Sequence, residues 1–329
     1  MKYVSMNAKQ PISELDAAIN TYTDDCEKIV PTCIPALTEE EFAAWAELDF
    51  VSLCASVLKK LFPSVVGEGA EQELAKSFEK FGFDTEDVAP VLKVGEGLYF
   101  LELWHGAAGR EMFIGESGSE YIAKRARALT GDATVECGSN LTYDAILIAA
   151  LFHAYFNLAD NGEIELGEKV HLAIPYHRCG LSMAATYAYL MGLPVAQVVS
   201  AYPADEEEEL EYELEHQDEI LGGKRAEFFY DIDVTDEEAS DAIGVFYEEE
   251  ELVIDPCTAA ALVADETYID ETDDQTACIV VSPESIFMHG ITVLRALGAP
   301  VTNDYHKDMA KLCELSAMDL PENVSVFED

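Results

Sequence analysis

The stretch KVHLAIPYHRCGLSMAATYAYLMGLPVAQVVSAY, residues 169–202, sets the architecture expected of this chain. KVHLAIP is a short apolar run ending in proline, with the length and composition of a buried strand. YHRCG interrupts it as a loop. LSMAATYAYLM is apolar on nearly every face, as a helix packed inside a protein must be. Gly192-Leu193-Pro194 stops that helix, and VAQVVSAY supplies a second apolar strand. A strand, a helix and a strand in that order cannot close as a hairpin; the crossover makes the two strands parallel and covers their sheet with helices. ACIVVSPESIFMHGITVLRALG, residues 277–298, repeats the strand-loop-helix pattern, with Ser282 as the expected helix N-cap and Pro283 as the first helical residue. The chain is read as an α/β protein, a parallel sheet with flanking helices.

Outward from this centre, LTYDAILIAALFHAYFNL (141–158) is apolar nearly all round and reads as a buried helix. In LTEEEFAAWAELDF (37–50), Thr38 and Glu41 form a capping-box pattern ahead of a helical apolar period, and AEQELAKSFEKFGF (70–83) ends with Gly82 placed for a helix stop. The first hundred residues are therefore expected to be mostly helical. VAPVLKVGEGLYFLELW (88–104) alternates apolar residues about Gly95-Glu96-Gly97, as a hairpin does. Acidic stretches at 205–219 and 231–251 lack the glycine-punctuated spacing of a calcium loop and read as solvated helices or loops. The expected division is a helical region at 1–97 and an α/β core at 98–329.

Charge excludes whole classes of partner. Nineteen Lys and Arg stand against 65 Asp and Glu, a net charge of −46, in a chain that is 49% hydrophobic. Such a chain folds, and its field repels nucleic acid and anionic lipid, so neither nucleic acid nor a membrane is an expected partner. The eight cysteines include no C-x-x-C pair and several lie in apolar runs, so they read as reduced, buried thiols of a cytoplasmic protein. No signal-peptide pattern is seen, and the longest apolar stretch, 145–151, is too short to span a bilayer.

The order of several long segments resembles the threonine synthase family. MKYVS (1–5), IPALTEEEFAAWAELDFVSLCASVLKKLF (34–62), LYFLELWHG (98–106), LADNGEIELGEKVHLAIP (158–175), MAATYAYLMGLPVAQVV (183–199), VIDPCTAAAL (253–262) and LRALGAP (294–300) succeed one another as they do there. The resemblance implies the two-lobed fold of tryptophan synthase β-like pyridoxal-phosphate enzymes. It also implies a cofactor between the lobes and conversion of O-phosphohomoserine to threonine.

Departures from the family pattern fall on its chemistry. Where the family's His-Gly turn leads to the lysine that holds the cofactor, this chain reads His105-Gly106-Ala107-Ala108-Gly109-Arg110-Glu111-Met112-Phe113. Arg110 stays charged and cannot take the lysine's role. The family's small-residue phosphate turn is here Tyr176-His177-Arg178-Cys179, with Gly180 retained. Ser282 stands where the family has a ring-facing histidine, and a Ser-Gly-Asp-Thr-Gly segment is missing, leaving a shortened cofactor lobe at about 107–138. Lys124, in YIAKRARALTG, is the only lysine between the His-Gly turn and the buried helix, and its neighbours Arg125 and Arg127 mark a solvated helix face. His105, His177 and Cys179 suit zinc in type but lack ligand spacing, and no G-x-S-x-G elbow supports a hydrolase. The expected protein is a threonine-synthase-like pseudoenzyme with no cofactor and no catalytic residue. Its role is to bind a small anion or a protein partner, and any ligand should lie among His105, Gly106, His177, Arg178, Gly180 and Ser282. The alternative is a pyridoxal-phosphate lyase that uses an unrecognised lysine.

Overall fold

A computed structural model of the chain describes residues 1–320 apart from 84, 86, 107–108, 110–111, 176–179, 204–210 and 303. The N-terminal region opens with three short strands that the sequence did not signal, before its helices. β1 (Tyr3–Ser5) pairs antiparallel with β2 (Pro11–Ile12) and β3 (Ile29–Pro31), with α1 (Glu14–Ile19) between the latter two. Residues of these strands are too few to show a period in the sequence. Helices follow: α2 (Glu39–Trp45), α3 (Phe50–Leu61) and α4 (Ala70–Phe81). Thr38 and Glu41 make the reciprocal capping box, and Gly82 ends α4 in the left-handed region with φ 62°.

β4 (Val91–Gly95) and β5 (Leu98–Glu102) form the expected hairpin. Then come α5 (Met112–Thr130), α6 (Asn140–Asp160), β6 (Val170–Pro175), α7 (Leu181–Met191) and β7 (Val195–Pro203). The chain continues through α8 (Glu211–Ile220), α9 (Arg225–Phe228), β8 (Phe229–Val234), α10 (Asp236–Glu250), α11 (Pro256–Thr272) and β9 (Cys278–Ser282). A 3-10 turn (Ile286–His289), α12 (Gly290–Ala296) and α13 (Tyr305–Ser316) complete it. The second acidic stretch thus begins as a strand: Tyr230, Ile232 and Val234 alternate with Asp231 and Asp233, a period of two hidden by the charge around it.

The main sheet has the order β4-β5-β9-β6-β7-β8, and every pairing is parallel except the β4 edge. Alternate residues feed two cores. Tyr99, Leu101, Leu172, Ile174, Ile279 and Val281 enter one with α3, α5, α6 and α7, while Phe100, Ala173, Val199 and Val280 enter the other with α10, α11 and α12. Fully sandwiched strands show no polar face, which explains the unbroken apolar runs in the sequence. α6 runs through the first core, with 15 of its 21 residues buried. It is long and apolar enough to cross a membrane by composition, a property it shares with any core helix of this kind, and 83% of that span is buried in the protein.

Two smaller expectations are corrected. Ser282 is not a helix N-cap. It is the last residue of β9, still paired with Glu102, and Ser285 caps the following turn by accepting from the Phe287 N–H. The cysteines are not uniformly buried: Cys54 and Cys278 are, but Cys26 and Cys33 are exposed thiols near the N-terminus.

Candidate functional site

In an open parallel sheet, ligands bind outside the carboxyl ends of the strands, where connections diverge. Neighbouring β5, β9 and β6 bring His105, Gly106, Ser282 and Gly180 to that edge. Leu103 N–H donates to the Ser282 carbonyl at 2.9 Å, and Ser285 N–H donates to the Gly109 carbonyl at 2.7 Å, so the His105-Gly106 turn is tied to the turn after β9. Gly109 holds φ 66°, and a Cβ there would come within 3.1 Å of Ser285 Cβ, so glycine is required. His105 is buried, with Nε2 2.8 Å from Glu102 Oε2 and its ring stacked on Trp104 at 4.0 Å between centroids. His177 and Arg178 lie outside the described residues.

Gly180 stands at the start of α7 with φ 101°, and a Cβ there would meet Asp144 Oδ1 at 2.8 Å. The carboxylate of Asp144, buried on α6, therefore abuts the first turn of α7, the end of the helix that attracts negative charge. Behind it is a cavity of only about 20 Å³, lined among others by Lys28 and His216. That volume holds about one water. Burial holds the His216 imidazole down at about 4, so it is neutral.

Ser282 points its hydroxyl into the protein, 2.8 Å from Thr258 Oγ1, which in turn bonds the Asp255 carboxylate. Asp255 caps α11, accepting from the Cys257 N–H at 2.8 Å and the Thr258 N–H at 3.2 Å. Burial still pushes its carboxyl up to about 6, with the Glu284 charge adding to the rise. The larger cavity of this edge, about 300 Å³, lies one strand further along, at the ends of β6, β7 and β8. Pro175, Tyr202, Thr235, Asp236, Cys257 and His289 are among its walls. Among the described residues that line it, none is a lysine or arginine.

At one wall of that cavity, Glu284 Oε2 lies 2.6 Å from His289 Nε2 and 3.5 Å from Cys257 Sγ. The sequence reading passed over all three. Cys257 comes from the first turn of α11, Glu284 from the turn after β9 and His289 from the end of the 3-10 turn, so no local spacing links Cys257 to the other two. The only signal was a cysteine directly after an Asp-Pro helix start.

The thirteen lysines are all among the described residues. Eight of them, Lys124 included, pair with exposed or half-exposed carboxylates. Lys124 meets Glu73, and its neighbour Lys76 meets the same carboxylate at 2.8 Å.

Fold and site together define an open α/β protein with a cavity at the carboxyl ends of a mainly parallel sheet. Among solved structures, threonine synthases share this architecture over nearly the whole chain. The Escherichia coli enzyme matches with a TM-score of 0.76 at 14% identity, covering 96% of this chain and 95% of that one. The yeast enzyme matches at 0.71 with 15% identity over 97% and 94%. The pyridoxal-phosphate-bound enzyme of Brucella melitensis matches at 0.69 with 14% identity over 97% and 95%. The chain thus has the threonine synthase fold. A curated threonine synthase from Pseudomonas aeruginosa is 30% identical over 109 residues, which span 32% of this chain but only 23% of that protein. No family model matches the chain.

Proposed function

We propose that this protein is a threonine-synthase-like pseudoenzyme of the cytoplasm that forms no internal aldimine with pyridoxal phosphate and binds a small anionic ligand at the strand ends. The observation that carries the reading is where the lysines lie. None lines the 300 Å³ cavity, and Lys28, which does line a cavity, has room beside it for little more than a water. A Schiff base requires a free amine at the cofactor's aldehyde carbon, and the exposed Lys124 is engaged in an ion pair with Glu73 instead. The phosphate end fares no better. Asp144 brings a carboxylate to the helix start where such a phosphate would seek N–H donors, and like charges at that range repel. These side chains do not fit the group.

A small anion is the ligand class proposed for the remaining space. The first turns of α10 and α11 both reach the 300 Å³ cavity through Thr235, Asp236, Pro256 and Cys257, and His289 adds a ring nitrogen. The test is direct. Purified protein incubated with pyridoxal phosphate is expected to show no aldimine absorption, and borohydride followed by peptide mapping should find no single labelled lysine. A band that borohydride fixes onto one lysine, together with threonine formed from O-phosphohomoserine, would restore the lyase reading.

A further inference from the structure

The group Cys257, Glu284 and His289 brings three different ligand chemistries to one point. One donor atom from each lies within 4.8 Å of the other two, and two of the three side chains also line the 300 Å³ cavity. From these positions we infer that they form a site for a zinc-class divalent cation, with three protein ligands and a fourth position open to the cavity. The inference does not rest on the absence of pyridoxal phosphate, and the two can fail separately.

Ligand type argues for a borderline ion rather than calcium or magnesium. Thiolate and imidazole are poor ligands for hard cations, which take oxygen, whereas zinc takes sulfur, nitrogen and carboxylate oxygen together. The distances are compatible after a small shift. Zinc bonds of about 2.0–2.3 Å in a tetrahedron separate ligand atoms by roughly 3.3–3.8 Å. The Cys257–Glu284 separation of 3.5 Å already lies in that range, while the His289–Glu284 contact of 2.6 Å must open by about 0.7 Å. His289 can supply this movement, because its side chain is 34% exposed, whereas that of Glu284 is 2% exposed and held in place.

The surroundings also suit a cation. Asp255 lies behind the group, its charge felt by Glu284 and its carboxylate fixing the turn that carries Cys257. On binding, the Cys257 thiol would lose its proton to water and form the metal–sulfur bond, and the His289–Glu284 contact would be exchanged for two metal bonds. Three ligands with the fourth position facing a cavity is the arrangement of sites that admit water or a small oxygen ligand, not of closed structural sites. A cation there would also give this strongly acidic chain a seat for an anion.

Cobalt(II) makes the test specific, since its complexes with thiolate give a charge-transfer band in the near ultraviolet that carboxylate binding cannot. The full chain should carry Cys26→Ser and Cys33→Ser to remove the exposed thiols, and magnesium in excess should occupy surface carboxylates. The expected result is a thiolate band that saturates at one cobalt per chain and is bleached by zinc. Cys257→Ser should abolish the band, and His289→Ala, at a half-exposed position, should weaken cobalt binding about 100-fold in a chain whose far-ultraviolet circular dichroism is unchanged. No thiolate band at saturating cobalt, or a band that survives either substitution undiminished, would overturn the site.

Discussion

Asp265 shows how a single carboxyl group can set a pH dependence. It lies on α11 with 2% of its surface exposed, and its Oδ1 has no hydrogen-bond partner among the described residues. Burial pushes its pKa up to about 6, more than the Cys278 thiol bonded to it can offset. A carboxyl raised from 3.8 to about 6 binds its proton more tightly in the folded chain, so folding pays nothing for it below about pH 4 and bears its full cost above about pH 6. That cost is on the order of 2–3 kcal/mol. Asp265→Asn should therefore raise the melting temperature at pH 8, and the gain should shrink as pH falls from about 6 to 4. His216 runs the other way: its folded value near 4 lies below the ordinary 6.5, so the stability it contributes is lost as pH falls through that interval. Comparing wild type with Asp265→Asn at each pH removes the histidine from the difference. An equal effect at pH 4 and pH 8 would show that the Asp265 carboxyl is not raised.

At the scale of elements, α5 and α6 test how closely the helices must approach. Gly118 on α5 faces Ile146 on α6, and a Cβ at Gly118 would come within 2.6 Å of Ile146 Cγ1. In an exposed helix, glycine to alanine gains up to about 1 kcal/mol from propensity. Here overpacking should reverse the sign, and Gly118→Ala should lower stability by about 1–3 kcal/mol, read as a lower urea midpoint. A higher midpoint would mean that the interface has slack. The elements also show what could be read from sequence. The all-round apolar pattern of 141–158 and the strand-helix-strand of 169–202 are legible because their local period or composition follows from burial on every side. The insertion of β9 between β5 and β6 is not, because Leu98 pairs with Cys278 across 180 residues and no local pattern encodes such a partner. Ser282 misled for a related reason: Ser-Pro-Glu-Ser offers two serines before one turn, and only the pairing of Ser282 with Glu102 makes Ser285 the cap.

Taken whole, the molecule places its chemistry where chain-distant segments meet, and so the candidate site was only half legible. His105, Gly106, Gly180 and Ser282 do reach one edge of the sheet, as the strand-loop-helix pattern required. The cavity itself sits a strand away, among residues whose convergence depends on the order β6-β7-β8. The chain as a whole carries a net charge of −46. Eight lysines already pair with carboxylates, yet 65 acidic residues against 19 basic ones leave most negative charge without a cation beside it. Salt then has two opposed effects. It weakens the exposed pairs, each worth at most about 1 kcal/mol, and it screens a repulsion that acts across the whole surface. The second should dominate, because the Debye length falls from about 30 Å at 0.01 M salt to about 10 Å at 0.1 M, shorter than the spacing of most like charges on the surface. The melting temperature should rise steadily with sodium chloride over this range, and potassium chloride should act equally because screening depends on ionic strength. If stability instead fell with salt, the ion pairs would outweigh the repulsion, and the acidity would be held in local networks rather than spread as a field.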